Sequence, residues 1–434
     1  MNKDTILVWF RNDLRVRDNE ILWQALAKAD RVVPVYVFDP RQFTPLKNGM
    51  HKTGVIRAKF ILESVQDLRL SLRSLGADLL VVSGYPEEIL PTLAERYQVK
   101  EVYHHREVAK EETHISTLVE EALWKKRLNL RHFIGHTLYH KEDLPFPIKD
   151  IPDAFATFRK KIERETTIRP SVETPVKIEV PDNLEASEIP SLASLGFSAG
   201  LIGIADQSPF KGGETEGLRR LETLLAGADT ASLTGSFGSE EGTVLSPWIA
   251  MGCLSVHTVY HAVKKYEDKS LPKKQAAAII TGLLWRDYFR FMFKKHGNKF
   301  FLQQGFSNEI PAYELVGDAL FDRWKRGETG DPFVDAAMHQ LNTIGFISHT
   351  ARMLVAHYLV SNLNISHLLG AAYFEDKLVD YNPASNYGNW AHIAGVGSST
   401  KDNGIRDIKK LQNLLDAQGE YVKRWGTPQL SYSS

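Results

Sequence analysis

Cysteine is nearly absent from this 434-residue chain: Cys253 stands alone. One thiol can build neither an internal disulfide framework nor a cysteine-ligated iron–sulfur cluster. No apolar run is long enough to cross a bilayer, so no membrane contact is expected. The opening residues, MNKDTILVWFRND, enter a strand pattern without a signal-peptide arrangement. Cytoplasmic residence and a monomeric state are the expectations. Net charge is lacking as well: lysine plus arginine equals aspartate plus glutamate, 53 each. Any hold on nucleic acid must then come from a local basic patch. Metal chemistry has little to stand on, because His104 and His105 are adjacent, no HExxH occurs and one cysteine cannot complete a usual zinc site. No metal cluster is expected. Gly212 to Leu221, GGETEGLRRL, lacks the lysine and spacing of a phosphate-binding loop. No internal repeat stands out.

What is present is an ordinary globular composition, 43% hydrophobic and 24% charged, in a chain long enough for two or three cores. The pattern changes character twice. Across residues 1–135, β-rich runs (Ile6 to Phe10, Arg31 to Phe38, Asp78 to Gly84, Glu101 to His105, Leu128 to Gly135) alternate with helical spacing (Asn19 to Ala29, Gly54 to Leu75). That alternation predicts a doubly wound parallel sheet, whose ligands sit at the carboxyl ends of the strands. Across residues 136–210 eight prolines from Pro145 to Pro209 break the pattern, and a linker with one short helix, Ala154 to Glu165, is expected. Residues 211–434 read as helical throughout. The fold class is therefore α/β followed by all-α.

Several stretches could carry chemistry. Arg352 sits in an apolar helical run beside Met353, Leu354 and Val355, where a guanidinium is costly without a partner. Asp380 follows the next helix-like segment, just before a Gly/Asn-rich stretch carrying Trp390, which reads as a loop. A structural ion pair and a pair gripping a polar aromatic cofactor are both open on chemistry alone. In GTVLSPWIAMGCLS, Ser246 is a good N-cap and Pro247 suits a first helical turn, so backbone N–H groups near Gly242 and Thr243 could meet an anion. An ordinary capped helix explains the same residues. Trp285, Tyr288, Phe289 and Phe293 recur at helical spacing, a pattern that serves a core or a cofactor cavity. Lys294, Lys295 and Lys299 cluster at that helix's end, as phosphate contacts or as a solvated face.

Three of these stretches resemble one family. WFRNDLRVRDN (Trp9 to Asn19) and GETGDPFVDAAMHQL (Gly327 to Leu341) are similar to the signatures of the photolyase/cryptochrome flavoproteins, and GGETEGLRRL resembles the DASH-type branch. The resemblance implies an N-terminal Rossmann-like antenna domain, a helical FAD-binding domain, and a light-driven repair or signalling role. FAD is the implied cofactor, with a folate (methenyltetrahydrofolate) as the implied antenna near Glu107. Single-stranded or lesion-containing DNA is the implied partner.

Position by position, the resemblance implies FAD contacts at Gly242, Thr243, Val244, Leu245, Ser246, Trp285, Phe346, His349, Arg352, Asp380, Asn382 and Asn386. Substrate contacts are implied at Gly282, Trp285, Arg286 and His349, and catalytic roles at Trp390 and Asn386. The chain departs from the family pattern at four of these places. Val244 replaces a basic or polar residue, Gly282 a glutamate that contacts the dimer, His349 an asparagine, and Asn382 a second aspartate. The family's tryptophan chain is also interrupted. Trp390 holds the inner place, His367 the middle one, and Tyr313 and Glu314 lie near the outer one.

Overall fold

The computed structural model describes residues 4–46, 49–226, 245–306, 311, 313, 318–397, 412–413, 416 and 418–426. The first part is a five-stranded sheet of β1 (Thr5–Phe10), β2 (Arg31–Phe38), β3 (Leu80–Ser83), β4 (Glu101–His105) and β5 (Asn129–Phe133). Its spatial order is β3-β2-β1-β4-β5, with every pair parallel. Both faces are covered, which is why β1 reads as an unbroken apolar run rather than an alternation. The covering helices are α1 (Glu20–Lys28), α2 (Val55–Ser74), α3 (Pro86–Arg96) and α4 (Lys110–Trp124). The chain runs outward from β1 on one side and returns to start β4 on the other. The crevice between the carboxyl ends of β1 and β4 is therefore the sheet's topological switch point.

The connection carries more structure than its prolines imply. It holds α5 (Phe155–Glu165) and also α6 (Ala199–Ala205), which packs on α2 and lies where the sequence indicates only irregular chain.

The helical part runs through α7 (Glu214–Leu225), α8 (Ser246–Ala250), α9 (Val256–Tyr266), α10 (Lys273–His296), α11 (Asp318–Arg326) and α12 (Pro332–Ile344). It continues with α13 (His349–His357), prolonged by a π-helical turn over Tyr358–Asn362, then α14 (His367–Lys377) and α15 (Pro383–Ile393). The predicted helix at Asp402 to Gln418 lies largely outside the described residues.

The stretch from Gly327 to Leu341 turns out to be a folding device. Asp335 accepts from Thr329 N at 2.7 Å, Thr329 Oγ1 at 2.6 Å and Gly330 N at 3.0 Å, so one carboxylate ties the loop to the start of α12. Asp331 caps that helix through Phe333 N and Val334 N, with Pro332 in its first turn. Gly327 takes φ +70°, and a Cβ there would lie 2.7 Å from the His339 ring, so glycine is required twice over.

Candidate functional site

α13, α14 and α15 surround a partly open cavity lined among others by His349, Arg352, Asp380, Asn382, Asn386 and Trp390. Arg352 and Asp380 meet there. Nη2 of Arg352 lies 3.0 and 2.9 Å from the two carboxylate oxygens, and its Nε donates to Ile347 O at 2.9 Å. Among the described residues no protein acceptor is found for Nη1, which leaves one nitrogen of the fork for a ligand. Phe346 lies beneath the guanidinium, 5.1 Å from ring centre to Cζ, and so supports Arg352 without itself lining the cavity.

Asp380 precedes a helix, which corrects the expectation of a loop there. Asn382 caps α15 by accepting from Ser385 N at 3.2 Å, and Pro383 occupies the first turn. With its oxygen used by the cap, Asn382 has its NH2 left for a ligand. Asn386 donates Nδ2 to Ala371 O at 2.9 Å, which leaves its oxygen. Trp390 is 2% exposed. Gly370 makes room for it, since a Cβ at that position would lie 2.2 Å from the indole. His349 lines the cavity and is exposed there; partial desolvation, then the charge of Arg352, lowers its pKa, so the ring is neutral near pH 7.

The segment expected to meet an anion is only partly described. Gly242, Thr243 and Val244 lie outside the described residues. Leu245, buried, occupies the N-cap of α8, and Ser246 is its first helical residue, one position on from the N-cap expected for it. The Ser246 hydroxyl instead donates to Asp380 Oδ2 at 2.6 Å, bringing this segment to the ion pair.

The expected substrate residues divide. Gly282 is exposed, and nothing lies within 4 Å of where its Cβ would be, so the family's glutamate position is open space. Trp285 is half-buried and stacked on Phe155 of α5, with centroids 3.7 Å apart and planes 12° apart. Neither residue lines the described cavity. Arg286 faces away from it: Nη1 donates to His136 O, on the side of the sheet domain. The lysine cluster is also occupied in part, because Lys295 donates to Ile151 O and Asp153 Oδ1, both at 2.7 Å.

Glu107 sits at the switch point, but its carboxylate is taken. Asn12 Nδ2 lies 3.1 Å away, Arg290 Nη2 2.9 Å and His136 Nε2 3.3 Å. Burial would raise its pKa; Arg290 and His136 outweigh that and hold it well below the carboxylate range. As arranged, these groups leave no free carboxylate for a pterin.

Arg57 is a further residue of the site that the sequence patterns above do not single out. This buried residue of α2 donates Nη1 to Glu375 O at 2.5 Å and to Leu378 O at 2.7 Å, while Nη2 donates to Lys52 O. It also lies 4.8 Å from the ring of Tyr381, a cavity residue. The sheet domain thus braces the turn that carries Asp380. An arginine inside the apolar run VIRAKFIL was the available signal.

A basic fork with a spare nitrogen, a carboxylate, two amides and an indole wall suit a flat heteroaromatic ring with polar edges. An α/β sheet ahead of such a helical cavity defines a class of protein that holds a heteroaromatic cofactor between its helices. A family model described as DNA photolyase matches residues 6–178, and one described as FAD binding domain of DNA photolyase matches residues 279–432. Cryptochrome DASH of Gloeobacter violaceus is 42% identical over 431 residues, 98% of this chain and 86% of that protein. The crystal structure of the Synechocystis sp. cryptochrome superposes with a TM-score of 0.87 at 37% identity, covering 97% of this chain and 88% of that one. The photolyase of Sulfolobus tokodaii, solved with two FAD molecules, gives 0.78 at 26% identity, covering 97% and 90%. The chain belongs to the photolyase/cryptochrome family of FAD-binding blue-light flavoproteins, in its cryptochrome DASH branch. No described helix is long and apolar enough to cross a membrane.

Proposed function

We propose that this protein repairs pyrimidine dimers in single-stranded DNA by light-driven electron transfer, with FAD held in the cavity between α13, α14 and α15. The observation that carries the reading is the Arg352–Asp380 pair, 2.9 Å apart beside Asn382 and Asn386. Arg352 would hold the flavin through its spare Nη1 and Asn386 through its spare oxygen, while Ser246 fixes Asp380 by donating to it. Trp390 and Phe374 wall the cavity against water. FAD, reduced and excited by blue light, supplies the electron that splits the dimer. The residues' task is to hold and orient it. Single-stranded substrate is favoured because an unpaired base costs least to present, and the open space at Gly282 beside Trp285 leaves room for it.

A second reading, a photoreceptor without repair, draws on the same Gly282. The family's dimer-contacting carboxylate is missing and Arg286 points elsewhere. Blue-light repair of a thymine dimer in a single-stranded oligonucleotide separates the two readings. Repair by reduced, FAD-loaded protein supports the first, and its absence supports the second. We place the protein in the cytoplasm as a monomer, in keeping with a buried free thiol at Cys253. The switch-point crevice is the place for an antenna, and a folate would bind there only by displacing a partner of Glu107.

A further inference from the structure

The family's tryptophan chain is interrupted at His367, yet Trp390 has another indole beside it. Trp324 of α11 packs edge-on against Trp390 with centroids 6.3 Å apart, and neither side chain is more than 2% exposed. Phe374 touches both rings, at 5.1 Å from Trp390 and 6.4 Å from Trp324. No other described ring contact of Trp390 is with an oxidisable side chain. His367 is a poor substitute: burial pushes its pKa down to about 4, and a neutral imidazole is much harder to oxidise than an indole.

We propose that Trp324 replaces the missing middle tryptophan, relaying an electron to Trp390 when the cavity's ligand is excited in its oxidised form. This rests on the FAD reading above. One electron leaves the Trp324 indole and fills the vacancy on Trp390, and no bond forms or breaks. The proton on Trp324 Nε1 stays in place, because its acceptor at 3.0 Å is the Val355 carbonyl, an amide oxygen and not a base.

The relay stops at Trp324. Tyr373 is the next oxidisable ring, 5.6 Å away, but oxidising a phenol requires its proton to leave. Its hydroxyl donates to Asn342 Oδ1 at 2.5 Å, with Lys325 O the alternative acceptor at 3.2 Å, and neither takes a proton. The Lys377 ammonium lies 5.5 Å from that ring and further disfavours positive charge there. The vacancy on Trp324 is refilled by return of the electron or, because the indole is buried, more slowly by longer-range transfer from a soluble thiol at the surface. The rival route, Tyr313 through His367, has a hydrogen bond of 2.9 Å from hydroxyl to Nδ1.

The test is transient absorption after a blue flash on the purified, FAD-loaded chain, comparing wild type with Trp324→Phe and Tyr313→Phe, and with dithiothreitol as the thiol. The expected result is a long-lived indole radical in wild type and Tyr313→Phe. Trp324→Phe should show only a short-lived one and a slower thiol-dependent bleaching of the flavin. Trp324→Phe behaving as wild type, or loss of the signal in Tyr313→Phe, overturns the proposal. Should Trp324→Phe not retain FAD, Trp324→Tyr serves: a phenol beside the Val355 carbonyl has no base to take its proton, so loss of the long-lived radical is expected and an unchanged long-lived indole signal is fatal. A wild-type chain that binds no FAD is visible before any flash and overturns the underlying reading instead.

Discussion

Arg57 Nη1 lies 2.7 Å from the carbonyl oxygen of Leu378, two residues before Asp380, and so ties the sheet domain to the cavity. Three backbone carbonyls depend on this one guanidinium. Replacing it with methionine keeps the apolar stem but leaves them without that donor. A loss of about 3 kcal/mol is expected at 1–3 kcal/mol per orphaned buried group. FAD affinity should fall with it, because the turn carrying Asp380 loosens. Thermal unfolding and fluorescence titration with FAD measure the two effects, and Arg57→Lys should retain part of both.

Arg352→Ala removes the partner of a carboxylate that is 4% exposed. The expected cost to the unliganded fold is about 2 kcal/mol, kept modest because Arg352 itself is partly open to the cavity. The larger effect is expected in FAD binding. Asp380→Asn keeps the shape and removes the charge, so it should bind FAD weakly while unfolding near the wild-type midpoint. Equilibrium dialysis with FAD checks this, and wild-type affinity in both variants would mean the pair is structural only.

The buried pair of Glu107 and Arg290 predicts a pH signature. Glu107 has its folded pKa held below its ordinary 4.5. Its contribution is therefore full above pH 4.5 and is lost as pH falls through the depressed folded value. Glu107→Gln leaves Arg290 without its charge partner and should cost about 3–5 kcal/mol at neutral pH. Urea unfolding at neutral pH and at about pH 3 should show the gap to wild type shrinking in acid. A pH-independent gap would contradict the assignment.

Gly282 lies inside α10 with open space around it. Gly282→Ala should stabilise the fold by about 0.5–1 kcal/mol, since helix propensity rises and nothing clashes. Gly282→Glu restores the family's carboxylate. If that contact is all that is missing, affinity for dimer-containing single-stranded DNA should rise, and unchanged affinity in a filter-binding assay would discard that explanation.

The sheet was legible in the sequence because buried parallel strands are apolar along their whole length, as in Arg31–Phe38. Helix α15 was not. Its Asn386, Gly388 and Asn389 are poor helix formers, and packing overrides them. Gly388 is there because a Cβ would lie 2.2 Å from the Phe289 ring. The start signals, Asn382 as cap and Pro383 in the first turn, were present but read as loop residues. Arg352 and Asp380 could be paired from resemblance. The partners of Glu107 could not, since Arg290 is 183 residues away and nothing local marks the contact. The same holds for Trp324, which only the tertiary fold sets beside Trp390.

The most direct test of the central claim is the flavin content of the purified chain, read from its visible absorbance before and after incubation with FAD and gel filtration. The account predicts a yellow protein carrying one FAD per chain, and an Arg352→Ala variant that elutes without it. A wild-type protein that stays colourless after incubation would contradict it.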